Sequence, residues 1–262
     1  EAKKMLAVVG DIHGSISTLK KLFYTLTDKY LIHRFIFLGD IVDRGMYSKE
    51  VVEFLMDRQG EILMTFLKGN HEDLLINAAL NQGRYPDFIW HERVGLKTVA
   101  SFMGIDEEEA VKKSHWEIAP YFLPFMEFFN SFKEYHIEET RNHKFLFSHA
   151  GPAFCDTPPH KQYEKCNEEE IRRHYPFIWH KKTKDLKEKY FDYIIINGHE
   201  ALVNKNSSQE ELHNVEPVIY KDSNNEVISI NIDTGCCYGG KLTAMLIDDD
   251  GKYKFEMFPW ED

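Results

Sequence analysis

The chain lacks any apolar run near the roughly 18 residues that a membrane helix needs. Its first such run, Met5–Val9 behind Lys3 and Lys4, is too short for a signal-peptide core. That run ends in Gly10-Asp11 without a small-residue cleavage pattern, so a cytoplasmic protein with no membrane contact is expected. Glu1–Lys4 precede a methionine and read as an extension. Cysteine is scarce: Cys155, Cys166, Cys236 and Cys237 form no Cys-x-x-Cys pair. This argues against a zinc ribbon, a thioredoxin site and a disulfide framework, and it predicts reduced, buried thiols. Basic charge is also in deficit. With 32 Lys+Arg against 43 Asp+Glu, the net charge is −11, which speaks against a dedicated nucleic-acid binder. No internal repeat of 20–50 residues is present, so solenoids are excluded. What remains is 43% apolar and 29% charged, the composition of a soluble globular protein. A single domain over 1–262 is expected, with thirteen histidines that raise the prospect of metal or acid–base chemistry.

The first third alternates. Short apolar runs at Met5–Val9, Phe35–Leu38 and Ile62–Leu67 are separated by helical patterns. These lie at Ser15–Tyr30 (Leu19, Leu22, Phe23, Leu26; Ser15 or Ser17 as N-cap), around Val51–Met56, and at Asp73–Leu80. The pattern predicts parallel strands with crossover helices. Residues 81–133 are rich in aromatics, among them Tyr85, Phe88, Trp90, Phe102, Trp116, Phe122 and Phe129, and read as a helical insertion whose aromatic stripe is core. The remainder reads as strands: Tyr135–Glu139, Lys144–Ser148, Tyr193–Ile196, Val227–Ile232, Leu242–Ile247 and Tyr253–Phe258. Thr140–His143 and Asp249–Gly251 are turns, and Asn204–Glu211 and Asp222–Asn225 are polar loops.

Chemistry gathers where the apolar runs end. The first three end in Gly10-Asp11-Ile12-His13-Gly14, Gly39-Asp40-Ile41-Val42-Asp43-Arg44-Gly45 and Gly69-Asn70-His71-Glu72. Two later runs end beside His149 and His199. In α/β sheets the crevice at the carboxyl ends of strands is where ligands sit. One Gly-Asp is usually only a turn, and one loop histidine is usually only hydrogen-bonded. Five such strand ends in this order predict a dinuclear metal site, with imidazole and carboxylate ligands that suit Mn²⁺ first, or Fe or Zn²⁺.

These motifs resemble those of the phosphoprotein phosphatase family of metallophosphoesterases: Gly-Asp-x-His-Gly, Gly-Asp-x-Val-Asp-Arg-Gly and Gly-Asn-His-Glu. The segment Asp233-Thr234-Gly235 to Gly239-Gly240-Lys241-Leu242 resembles the bacterial branch, which holds serine/threonine phosphatases and dinucleoside tetraphosphatases. The resemblance implies a four-layer α/β/β/α sandwich with two central mixed sheets. It implies that Asp11, His13 and Asp40 hold one metal, and that Asp40, Asn70, His149 and His199 hold the other. It further implies that Arg44, with Asn70, binds substrate phosphate. His71 then serves as the general acid, oriented by Asp43, and no covalent phosphoenzyme forms.

The chain departs from that branch at two places. Lys181 stands where a second clamping Arg is implied, which leaves two readings: a phosphate contact without the guanidinium fork, or an exposed loop residue. Glu200 follows Gly198-His199 where a small hydroxyl residue is common. Tyr238 either reaches the site or packs beside Gly239 and Gly240. The basic stretch Lys161, Lys165, Arg172, Arg173, Lys181, Lys182 and Lys184 reads as a solvated face rather than a polyphosphate track. The expected activity is that of a protein serine/threonine phosphatase acting on a phosphoprotein or a small phosphorylated substrate. A dinucleoside polyphosphate hydrolase is the alternative. A non-catalytic scaffold would be marked by loss of Asp40, Asn70 or His71, and all three are present.

Overall fold

Alternation along the first strand sets the architecture. In β1 (Lys4–Val9), Met5, Ala7 and Val9 join one buried cluster, while Leu6 and Val8 join another. A strand buried on both faces must be sandwiched between layers. The computed structural model describes residues 2–80, 90–166, 175–181 and 183–262, and shows what those layers are.

β2 (Leu31–Phe37) and β3 (Leu63–Phe66) run parallel to β1, joined through α1 (Ile16–Lys29) and α2 (Ser48–Arg58). β9 (Lys241–Asp248) returns antiparallel against β1, and β10 (Tyr253–Pro259) pairs with β9. The order is β10-β9-β1-β2-β3. The second sheet has order β4-β5-β6-β8-β7, from Tyr135–Glu139, Lys144–Ser148, Tyr193–Asn197, Val227–Asn231 and Val218–Lys221. There β5, β6 and β8 are parallel, and β4 and β7 are antiparallel edges. Leu6, Val8, Ile36, Phe145, Phe147, Ile196 and Ile230 interdigitate between the two mixed sheets. Their alternate neighbours face outward, Ala7 and Phe35 toward the helices and Leu146 and Ile195 toward Phe177 and Tyr190. Helices flank the sheets, as the expected α/β/β/α sandwich requires.

Helix α3 (Asn70–Ala79) leads from β3 into the insertion. Of that insertion, 81–89 (with Tyr85 and Phe88) lie outside the described residues. The rest holds α4 (Leu96–Met103), α5 (Glu107–Ala110), α6 (His115–Phe122) and α7 (Met126–Asn130). Phe102 stacks on Phe122 at 4.4 Å, and Trp90, Phe128 and Phe129 are buried in the cluster that also contains α1 to α3. Trp116, 81% exposed, and Tyr121, 45% exposed, depart from the aromatic-core reading.

Several local expectations are corrected. α3 begins at Asn70 rather than Asp73, so the third motif lies on a helix N-terminus and not in a loop before it. Neither Ser15 nor Ser17 caps α1 through its side chain. The Asp262 carboxylate does, accepting from Ser17 N at 2.7 Å and Thr18 N at 3.0 Å. The polar loop near Ser208 holds a helix, α8 (Gln209–Asn214), where Ser208 accepts from Glu211 N and Glu211 accepts from Ser208 N. β7 had no sequence expectation. Of the cysteines only Cys236 is buried, and Cys155 is exposed.

Candidate metal centre

The three parallel strands of the first sheet deliver their loops to one end, where the loops of β5 and β6 meet them. The local backbone is strained there. Nine non-glycine described residues have positive φ, and five are His13 (44°), Asp40 (54°), Asp43 (70°), Arg44 (66°) and His199 (69°). Such conformations cost on the order of 1–3 kcal/mol each and persist only where surroundings enforce them. Two glycines permit the close approach. A Cβ on Gly69 would lie 2.1 Å from Asp40 Oδ1, and one on Gly198 would lie 2.1 Å from Asp11 Oδ1.

All six expected metal-site residues converge. Asp40 is shared by two donor groups: its Oδ2 is 3.5 Å from His13 Nε2 and 3.2 Å from His149 Nε2. Asp11 Oδ2 stands 3.9 Å from His13 Nε2. Asn70 Oδ1 is 3.0 Å from both His149 Nε2 and His199 Nδ1. The far nitrogens fix the tautomers. His13 Nδ1 donates to Val42 O at 2.7 Å, His149 Nδ1 to Leu38 O at 2.9 Å, and His199 Nε2 to Trp179 O at 3.2 Å. Each proton therefore points away from the centre, and each lone pair points into it. This is how metal-ligating histidines are held. Burial pushes His13 down to about 3; burial, with His149 alongside, does the same to His199, so both are neutral imidazoles. Burial and the neighbouring Asp233 and Asp40 carboxylates drive Asp11 well above its ordinary range. Imidazole nitrogens, an amide oxygen and carboxylates buried around one point fit divalent cations, whose charge would offset the crowding of the carboxylates, and these residues could hold them.

His71 differs from the other three. It lies beside His13, ring centroids 4.8 Å apart, and groups with His13 and Asp40. Its Nδ1, however, faces a carboxylate, Asp43 Oδ2 at 2.8 Å, rather than a carbonyl. Burial opposes charge on His71, but Asp40 and Asp43 outweigh it and raise its pKa. His71 therefore favours the protonated form where His13 and His199 do not.

A cavity of about 260 Å³ opens onto this centre, lined by Arg44, Asn70, His71, Lys181, Cys237 and Tyr238 among others. Arg44 is exposed, its guanidinium 5.5 Å from the Tyr238 ring centre. Lys181 is exposed and also lines the cavity. Glu200 pairs with Lys184 at 3.8 Å. Arg172, Arg173 and Lys182 of the basic stretch lie outside the described residues. Lys165 is paired with Asp156.

Four residues escaped the sequence reading as parts of the site. Fully buried Glu72 accepts from Asp40 N (2.7 Å), Gly69 N (2.9 Å) and Ile41 N (3.1 Å), tying the second motif to the third. Its distance from Gly69 is that of a capping box, a signal that was readable. Asp233, buried against Asp11, ends an apolar run as the other site residues do. Trp90 and Thr98, both on Asp43, carried no local signal.

A two-sheet sandwich with this donor cluster at one end of its strands defines a metal-dependent hydrolase of the phosphoesterase class. A family model described as "Calcineurin-like phosphoesterase" matches residues 5–231, and the chain belongs to that family. Among solved structures it is similar to a protein serine/threonine phosphatase from Saccharomyces cerevisiae with similarity to human phosphatase PP5. That match has 14% identity and TM-score 0.59, covering 100% of this chain and 81% of that one. It is also similar to a provisionally assigned diadenosine tetraphosphatase, with 16% identity and TM-score 0.52, covering 98% of this chain and 99% of that one. A metallophosphoesterase from Sphaerobacter thermophilus matches with 13% identity and TM-score 0.54, over 98% and 89%. At these identities the likeness is one of fold.

Proposed function

We propose that the chain is a dinuclear-metal phosphomonoester hydrolase acting on phosphoserine and phosphothreonine in proteins. The observation that carries this reading is the His71–Asp43 pair, a buried, charge-favouring histidine beside the His13 and Asp40 donors. A serine or threonine alkoxide is a poor leaving group and needs a proton, whereas a phosphoanhydride leaves as a stable anion.

Asp11, His13 and Asp40 would hold one cation; Asp40, Asn70, His149 and His199 would hold the other. Mn²⁺ is the first choice, Fe or Zn²⁺ the alternatives. When bound, the pair would supply Lewis acidity toward the phosphoryl oxygens and lower the pKa of a water nucleophile. The chain's own residues do the rest. Arg44 binds phosphoryl oxygens with its planar fork, and Lys181 adds charge from the loop that carries Trp179. Asp43 fixes the ring of His71, whose Nε2 gives its proton to the leaving oxygen. The Cys237 thiol lines the cavity, but burial pushes its pKa far up, so it is no nucleophile and no covalent phosphoenzyme is expected. We place the enzyme in the cytoplasm. Among the described residues, no helix is long and apolar enough to cross a membrane.

A second reading, hydrolysis of dinucleoside polyphosphates, draws on Lys181. A second cation lining the same cavity as Arg44 suits a substrate with more than one phosphate. The deciding experiment compares kcat/KM for a phosphoserine peptide, a phosphothreonine peptide and diadenosine tetraphosphate with Mn²⁺ present. Peptide values at least tenfold higher are expected, and the reverse order would replace the first reading by the second.

A further inference from the structure

Asp43 is fully buried, yet its carboxylate has three donors, and only one is His71. Trp90 Nε1 donates to Oδ2 at 3.0 Å, the oxygen that also faces His71. Thr98 Oγ1 donates to Oδ1 at 2.5 Å. The same hydroxyl oxygen accepts from Asp43 N at 2.9 Å, so Thr98 grips both the main chain and the side chain of one residue. Since the Thr98 proton goes to Asp43, Ser48 Oγ, 3.1 Å away, donates to Thr98 Oγ1. Ser48 opens α2, Trp90 and Thr98 belong to the insertion, and the Asp43 backbone between them is left-handed with φ 70°. Trp90 is fixed in its turn: its ring lies so close to Gly95 that a Cβ there would meet it at 2.3 Å, and it packs edge-on to Phe122 at 5.7 Å.

We propose that Thr98 and Trp90 are positioning residues for the His71–Asp43 pair, so that the helical insertion completes the general acid. The inference rests on the phosphomonoesterase reading above. A carboxylate with one donor rotates about χ2, and its partner imidazole follows. With donors on both oxygens from a second structural element, Asp43 has one orientation, and His71 Nε2 is aimed at the leaving oxygen. General acids contribute about 10²–10⁴-fold, and the contribution depends on geometry. The effect therefore falls on substrates whose leaving group needs a proton.

The test compares Thr98→Val, Thr98→Ser and Trp90→Phe on p-nitrophenyl phosphate, which leaves readily, and phenyl phosphate, which does not. Thr98→Val and Trp90→Phe should each lower kcat on phenyl phosphate about tenfold, with KM changed less than about twofold. On p-nitrophenyl phosphate both should stay within about twofold, and Thr98→Ser should keep wild-type values on both. Placed in a His71→Asn background, Thr98→Val should cost nothing further on phenyl phosphate, because the group it positions is gone. In the metal-free protein the His71 Nδ1–H proton resonance should shift in Thr98→Val, a readout that needs no turnover. Equal losses on both substrates, a loss confined to KM, additivity with His71→Asn, or an unmoved resonance would each overturn the inference. A wild-type protein inert toward both esters with Mn²⁺ would overturn the phosphomonoesterase reading, and this one with it.

Discussion

His149 Nε2 lies 3.1 Å from His199 Nδ1, and both nitrogens stand 3.0 Å from Asn70 Oδ1. Both rings spend their N–H on backbone carbonyls, of Leu38 and Trp179. Two ring nitrogens and an amide oxygen turned toward one point, with the Asp40 carboxylate beside them, suit a shared cation. Metal removal should therefore destabilise the fold. At a hundredfold excess over Kd, ligand binding stabilises by about 2.7 kcal/mol, which is roughly 5–10 °C in Tm for a chain of this size. Thermal melts with Mn²⁺ and with chelator should differ by that much. The gap should shrink in His149→Ala, which takes a ligand from one of the two sites, and a chelator-insensitive Tm in the wild type would remove the metal centre.

Glu72 makes a prediction that an ordinary helix-start residue would not. Its two carboxylate oxygens take three backbone N–H groups, from Gly69, Asp40 and Ile41. In Glu72→Gln one of those oxygens becomes an NH₂. The Gln oxygen can keep Asp40 N and Gly69 N, but the amide then faces Ile41 N donor to donor. Leaving a buried donor unsatisfied costs about 1–3 kcal/mol, and the displaced Asp40 loop should weaken Mn²⁺ binding. Urea unfolding of the metal-free protein reads the first effect and calorimetric Mn²⁺ titration the second. A variant with wild-type values in both would reduce Glu72 to an incidental cap.

The N-terminus of α1 offers a separable test. Asp262 satisfies the N–H groups of Ser17 and Thr18, and its Oδ2 also accepts the Thr18 hydroxyl at 2.7 Å. Loss of such a cap costs about 0.5–2 kcal/mol. Asp262→Ala should lower the unfolding free energy read from urea melts by that amount with an unchanged m-value, and kcat for p-nitrophenyl phosphate should stay within twofold. Asp262→Asn, which keeps the acceptor, should recover most of the loss.

These three sites differ in how far they were legible in the sequence. The donor set at Asp11, His13, Asp40, Asn70, His149 and His199 was legible because each residue sits next to a short apolar run, and strand ends are predictable from local pattern. The sheet order of the first three strands followed for the same reason, since crossover helices leave a period in the chain. Glu72 and Asp233 obeyed the same local rules and needed only a closer reading. The α1 cap did not, because Ser15 is the better local candidate and the residue that wins is 245 positions from Ser17. Trp90 and Thr98 were illegible for that reason too. Their partner, Asp43, is 47 and 55 positions away, and nothing in an aromatic-rich helical stretch marks one indole N–H as a donor to it.

Lys181 decides between the two substrate readings. It lines the same cavity as Arg44, on the loop whose Trp179 carbonyl holds His199. An exposed ammonium in that position attracts anions but cannot make the paired contacts of a guanidinium. If the substrate is a monoester, Lys181→Ala should raise KM for a phosphoserine peptide about two- to fivefold, leave kcat nearly unchanged, and lose its effect at high salt, because the interaction is a screened one with an exposed charge. If instead the lysine grips a second phosphate, the loss on diadenosine tetraphosphate should exceed the loss on the peptide by about tenfold or more, the range for one charge-assisted contact. Lys181→Arg separates position from charge: it should lower KM below the wild-type value where the side chain reaches phosphate, and leave it untouched where the residue acts only through the field of the pocket.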